Sequence, residues 1–298
     1  MGTNSSIMKP HKWISAWCSK IGSSHIQEGL PCQDNSKVEY VKNTDFIIAA
    51  ISDGAGSCEN SQIGSSFLVD KVIEKLGLFL KSDKGLFIND IELSQKKWRE
   101  EAFLIFTELK TELKVKANES NLEFKSLSAT LIVTISNGKF IACANVGDGR
   151  AAFRSMEDEW YPMLIPTKGE EANQTLFITS DFWDTDTQSE YFGSFYYSNP
   201  ISAFTLLSDG CERASFEILK YNKEEDKYFD PNKPFKPFFE PNYLNLLKLG
   251  KAKIDQNKIN ELWGDFIEKG NSNLINETDD KSMILSLFLT RHIDEAKG

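Results

Sequence analysis

No two cysteines of this chain have C-x-x-C spacing, and the five present, Cys18, Cys32, Cys58, Cys143 and Cys211, are odd in number. That speaks against a disulfide framework and for free thiols in a reducing compartment. Histidine is nearly missing. Only His11, His25 and His292 occur, so a nucleophilic Cys32 or Cys58 has few candidate bases. No Lys/Arg-rich run interrupts a net charge of −10, which argues against nucleic acid and for a solvated acidic surface. No apolar run is long enough to span a membrane. Residues 1–13 show no signal-peptide pattern. Gly-rich dinucleotide and P-loop fingerprints are also missing. The expectation is a cytoplasmic protein with neither nucleic acid nor membrane as partner. Gly2 and Ser6 fit the loose myristoylation pattern, but a loose chain start is the simpler reading, and Met8 is an alternative start.

What is present begins with material for a core. Of 298 residues, 40% are hydrophobic and 21 are Phe, enough for one large domain or two small ones. Residues 13–18 alternate weakly, as a strand does. Residues 45–51 are nearly all apolar, the mark of a strand covered on both faces. Two helices follow by periodicity, over 61–80 and from about 89 to 116, joined by a polar link over 81–85. Ser136-Asn137-Gly138-Lys139 is a hairpin turn between the β-rich runs 128–135 and 140–146. Residues 151–154 form a further strand, 155–200 strands with long loops, and 201–207 a buried strand. The stretch 214–272 is partly helical, broken by Pro231, Pro234, Pro237 and Pro241, with a helix over 259–267. Residues 283–289 are the last strand. Strands, paired helices and hairpins in this order suggest antiparallel sheets with helices segregated outside.

Four aspartates stand where strands end: Asp34 in Pro31-Cys32-Gln33-Asp34-Asn35, Asp53 before Gly54, Asp209 before Gly210, and Asp279 beside Asp280. Clustered carboxylates on a rigid sheet suit hard divalent cations. Asp148 in Asn145-Val146-Gly147-Asp148-Gly149-Arg150 is a further junction of this kind. Each Asp-Gly alone is usually just a turn, and Asp209 could equally cap the segment from Cys211.

Taken in order, Cys32-Gln33-Asp34, Ser52-Asp53-Gly54-Ala55-Gly56, Ser128-Ala129-Thr130, residues 145–150, Leu207-Ser208-Asp209-Gly210 and Asp279-Asp280-Lys281-Ser282 resemble the metal-dependent protein phosphatases of the 2C type. Gly22-Ser23-Ser24-His25, residues 29–34 and residues 168–175 resemble a bacterial branch of that family. The resemblance implies an α+β fold, a four-layer α-β-β-α sandwich with two central, mostly antiparallel sheets flanked by helix pairs. One domain over 12–292 is expected between flexible ends, 1–11 and 293–298. Two Mg²⁺ or Mn²⁺ ions, with a possible third, are implied as cofactors. Asp53 would bridge two ions, and the Gly54 carbonyl would bind one. Asp209 and Asp279 would hold the second, Asp34 would act nearby, and Asp148 would help hold the third. Asp280 would support rather than ligate.

The implied activity is hydrolysis of phosphoserine and phosphothreonine on protein by a water that two metals activate. The implied partner is a phosphorylated protein, the target of a serine/threonine kinase. A non-catalytic phosphatase-like binding domain and a small-molecule phosphohydrolase are the alternatives; retention of Asp34, Asp53, Asp209 and Asp279 favours the enzyme. The chain departs from the family pattern where Ala55 replaces a His and Gly29 replaces a phosphate-gripping Arg. Gln33 also replaces a frequent carboxylate, and one negative charge fewer weakens metal binding. His25 is a candidate phosphate contact or a histidine hydrogen-bonded to backbone. Arg150 and Arg213 are expected in structural ion pairs. Residues 169–175 lie where the family has a variable flap, or form a capped turn.

Overall fold

The computed structural model describes residues 12–81, 93–167, 175–185 and 188–289. The expectations for residues 1–11 and 293–298, for the link after Lys81, for the first residues of the second helix, and for Lys168 to Gln174 lie outside the described residues.

Chain order is β1 (Trp13–Lys20), α1 (Ser23–Glu28), β2 (Asn35–Tyr40), β3 (Ile47–Ser52), α2 (Ser61–Lys81), α3 (Gln95–Glu119), β4 (Leu131–Ser136), β5 (Ile141–Val146), β6 (Arg150–Ser155) and β7 (Trp160–Pro162). Then come α4 (Gln188–Tyr191), β8 (Gly193–Tyr197), β9 (Ile201–Leu207), α5 (Glu212–Ser215), β10 (Phe216–Glu217), β11 (Lys220–Asn222), β12 (Lys227–Phe229) and β13 (Lys233–Pro234). Helices α6 (Lys236–Lys251), α7 (Gln256–Lys269) and α8 (Ser272–Asn276) lead to β14 (Lys281–Phe288). Two five-stranded sheets form, in the orders β1-β14-β9-β6-β7 and β2-β3-β4-β5-β8. Every pairing within them is antiparallel.

Strand β3 shows why the sheets stack between helices. Its side chains alternate in direction, and all six residues are buried. Ile48 and Ala50 join Leu68, Val72 and Leu76 of α2 and Trp98, Phe106 and Leu113 of α3. Ile47, Ala49 and Ile51 turn the other way, toward Phe153, Phe204 and Ile284 of the second sheet. That sheet is closed on its far side by Phe239 and Leu246 of α6 and Ile259 and Trp263 of α7. Trp13 bridges the stack, with its indole N–H donating to the Asp45 carbonyl at 2.7 Å and its ring edge-on to Phe204. The four-layer α+β sandwich expected from the resemblance is therefore the observed architecture.

Several boundaries differ for local reasons. Helix α3 starts at Gln95 because Ser94 caps it, its hydroxyl accepting from the Lys97 N–H and satisfying an otherwise orphan donor. Strand β4 starts at Leu131, three residues late, because the Ser128 hydroxyl folds back onto the Lys125 carbonyl at 2.7 Å. Helix α6 runs through Pro237 and Pro241 rather than breaking there. A proline in the first turn has no N–H to lose, and Pro241 forfeits one bond within a helix anchored by Phe238, Phe239 and Tyr243. The exposed hairpin β11–β12, with Tyr221 opposite Tyr228, was hidden because its strands are three residues each and carry no buried face. Arg150 is in the expected ion pairs, with Nε 2.9 Å from Glu212 and Nη2 2.6 Å from Asp230. Arg213 is exposed, and no ion pair of its side chain is seen among the described residues.

Helix α3 is locked to β5 by Trp98, which is fully buried and donates its indole N–H to the Cys143 carbonyl at 2.8 Å. Trp98→Ala is expected to cost about 3–5 kcal/mol of folding stability, the usual loss for a buried aromatic. Urea unfolding of the two proteins measures it.

Candidate active site

Register brings the acidic residues to one end of both sheets. Asn35 lies opposite Ser52, so Asp34, just before β2, and Asp53, just after β3, share that end. Leu131 lies opposite Val146, and an isolated bridge between Gly54 and Ala129 prolongs the β3–β4 pair, which puts Asp148 there too. In the second sheet Leu207 faces both Arg150 and Met283. That places Asp209, two residues beyond β9, and Asp279, two before β14, at the same end.

The site has a floor and a rim. Asp34 is buried, Asp53, Asp148 and Asp209 are half-buried, and Asp279 is exposed. The Ser208 hydroxyl donates to Asp34 Oδ2 at 2.7 Å and accepts from the Ser282 N–H at 3.0 Å. One small side chain thus joins three motifs. Thr130 fixes Asp53: its Oγ1 accepts from the Asp53 N–H at 3.0 Å, and its own N–H donates to the Asp53 carbonyl at 2.8 Å. The Thr175 hydroxyl donates to Asp148 Oδ2 at 2.7 Å. Ser208, Ser282 and Thr175 were not singled out from sequence, since a hydroxyl has no local signature of its target.

Two carboxylate oxygens, Asp34 Oδ1 and Asp209 Oδ1, are buried without a hydrogen-bond partner. A buried anionic oxygen without a donor is costly, and hard oxygen atoms of this kind suit a divalent cation. The cap role open to Asp209 is not taken up, since it begins a short 3-10 turn with that oxygen unbonded. Among the described residues no three acidic, imidazole or thiol side chains converge as a ready-made metal cage. Like charges repel, and a cation between them is what would draw them in. The donor set fits such ions.

Electrostatics follow from the crowding. Loss of water pushes the Asp34 carboxyl up to about 7, against the pull of the Ser208 and Ser282 hydroxyls. Burial likewise raises Asp209 to about 7, with the charges of Asp148 and Asp279 adding to it. Asp53, at the centre, is raised well above the carboxylate range by burial and then by Asp34, Asp209, Asp148 and Asp279. Asp279, on the rim, is raised by partial loss of water at its carboxyl and then by the Asp280 charge, against the bond it accepts from the Asp280 N–H.

The residues at the departures from the family pattern have structural reasons. Gly29 ends α1 in the left-handed region, φ 69°, a conformation that disfavours a side chain. Ala55 is buried and donates its N–H to the Ser128 carbonyl. His25, expected as a possible phosphate contact, is buried instead, with Nδ1 3.0 Å from Asp280 Oδ1. Helix α1 turns it inward. Gln33 is buried, and its Oε1 has no partner. Cysteine chemistry finds no support: burial, then Asp280 and Asp34, raise the Cys32 thiol, and all five cysteines are free.

An acidic cluster at one end of a helix-covered double sheet is the framework of a phosphoprotein phosphatase, a class of enzymes. The chain belongs to the protein phosphatase 2C family, whose model matches residues 21–257. Serine/threonine-protein phosphatase 3 of Escherichia coli (strain K12) is 26% identical over 281 residues, 93% of this chain and 98% of its own length. In fold the chain is similar to the serine/threonine phosphatase of S. agalactiae, with a TM-score of 0.55 at 12% identity, covering 92% of this chain and 99% of that one. A bacterial serine phosphatase gives a TM-score of 0.54 at 16% identity, covering 94% and 100%. Among the described residues no helix is long and apolar enough to cross a membrane.

The raised carboxyls set a pH dependence for metal-free protein. An unfolded Asp titrates near about 3.9, whereas Asp34 and Asp209 titrate near about 7 in the fold. The native state therefore binds more protons between these values, and stability falls as pH rises through the window. Chelator-treated protein should lose melting temperature from pH 5 to 7.5, and Mn²⁺ should restore it at pH 7.5. A melting temperature independent of pH over that range would contradict the assignment.

Proposed function

We propose that the protein is a metal-dependent serine/threonine protein phosphatase that hydrolyses phosphoserine and phosphothreonine on protein. The observation that carries the reading is the gathering of Asp34, Asp53, Asp148, Asp209 and Asp279 at one sheet end, two of them with buried, unbonded oxygens. Asp53, the Gly54 carbonyl, Asp209 and Asp279 would hold two Mg²⁺ or Mn²⁺ ions, with Asp34 assisting and Asp148 placed for a third. When bound, such ions make water a nucleophile near neutral pH and offset charge on the phosphoryl oxygens.

The chain's own residues orient and exclude. Thr130 holds the Asp53 backbone by two hydrogen bonds, which fixes the point from which the central side chain projects. Ser208 occupies one oxygen of Asp34 and leaves the other buried without a partner. Asp34 and Asp209, with pKa values near 7, give up protons readily as cations arrive. Hydrolysis breaks the ester P–O bond; water supplies the oxygen of inorganic phosphate, and the serine or threonine oxygen leaves with a proton. Neither Gly29 nor Ala55 offers a side chain to grip phosphate or donate that proton; a water at the site could serve as the acid. The phosphorylated partner is a product of a serine/threonine kinase, and the setting is cytoplasmic.

With Mn²⁺ the protein should hydrolyse an aryl phosphate and a phosphothreonine peptide. Asp209→Ala should lower kcat by about 10³-fold or more, as loss of a principal electrostatic element does. Inactivity of the wild type across divalent metals and phosphopeptides would overturn the reading.

A further inference from the structure

The two chain segments that carry Asp209 and Asp279 also wall a cavity. It measures about 460 Å³ and is lined by Ala214 of α5, Phe235 just before α6, Phe238 and Asn245 of α6, Phe266 of α7 and Asn271 just before α8. Its walls are held by hydrogen bonds. The Phe235 N–H donates to the Ser215 carbonyl at 2.8 Å, and the Ser215 hydroxyl donates to the Cys211 carbonyl at 2.7 Å. Asn273 Nδ2 donates to the Arg213 carbonyl at 2.9 Å, which ties α8 to α5. Phe238 is buried, Phe266 is half-buried, and Phe235 keeps 40% of its surface exposed. Three aromatic rings around an open cavity of this size suit a large apolar side chain from outside.

We propose that this cavity is a docking pocket for the protein substrate, taking an apolar or aromatic side chain about three residues from the phosphorylated serine or threonine. The inference rests on the phosphatase reading given above. Continuity with the acidic cluster selects that occupant. Ala214 stands five residues beyond Asp209, and helical chain rises about 1.5–2 Å per residue, so cavity and cluster lie roughly 8–10 Å apart. An extended peptide covers about 3.3 Å per residue, hence the offset of three. Charge points the same way. Arg213 lies between Asp209 and Ala214 in the chain and is exposed. In a chain of net charge −10, that cation stands where a phosphorylated, acidic segment has to pass, and opposite charges there favour it over other occupants.

The test uses phosphothreonine peptides that carry Phe three residues before or three residues after the phosphothreonine, and a parent with Ala at both places. kcat/KM is measured for each with Mn²⁺. Burying most of a Phe side chain is worth about tenfold or more in binding, so the wild type should prefer one of the Phe peptides to the parent by about that factor. Asn245→Trp fills the cavity, and Phe235→Ser removes an exposed ring from its lining; each should bring the preference close to one. Both replace exposed side chains, and if one variant does not fold, the other decides. Equal kcat/KM for all three peptides in the wild type, or a preference that survives the substitutions, would overturn this inference and leave the phosphatase reading standing. Failure of the wild type to hydrolyse any of the peptides would overturn both. A dimer seen by light scattering that Asn245→Trp dissociates would assign the cavity to a second copy of the chain and also overturn the proposal.

Discussion

Like charges held together away from water must find protons or cations. That constraint governs this protein. Five carboxylates lie at one end of two sheets, and burial raises Asp34, Asp53 and Asp209 well above their ordinary range. A chain that spends stability on such a cluster must hold it by force from outside. The force is the packing of four layers: β3 is buried on both faces, helices close the outer sides, and antiparallel register delivers each aspartate to the same rim.

Within the site, charge is divided between two jobs. Asp53, Asp209 and Asp34 keep oxygens free of the chain or share them with one another. Asp280 does the opposite and spends both oxygens on backbone N–H groups. The difference in hydrogen bonding sets Asp280 apart among side chains of identical chemistry. His25 lies buried beside it, with Nδ1 3.0 Å from Asp280 Oδ1. Ser208 stands between the two jobs, steadying Asp34 while leaving half of it open.

Much of this was legible in the sequence. The strand followed by Asp53-Gly54, the strand followed by Asp209-Gly210 and the Asn137-Gly138 turn are local signals, set by alternation and by the conformational freedom of glycine. The family resemblance supplied the four layers. What stayed hidden was non-local. Ser208 meets Asp34 across 174 positions, and Gln33 meets Asp280 across 247; no spacing rule reaches so far. The direction of His25 was also hidden, because a six-residue helix carries too little periodicity to say which way one ring turns. Arg150 was legible as an ion-pair residue, whereas Arg213, four residues beyond Asp209, was expected in the same role and is exposed instead.

The central claim is that this cluster is a metal centre. Its most direct test is anomalous diffraction from crystals soaked in Mn²⁺. The account predicts strong anomalous peaks against the carboxylates of Asp53 and Asp209, absent from Asp209→Ala crystals treated alike. Crystals showing no Mn²⁺ at Asp53, or Mn²⁺ bound only at surface acids elsewhere, would contradict it.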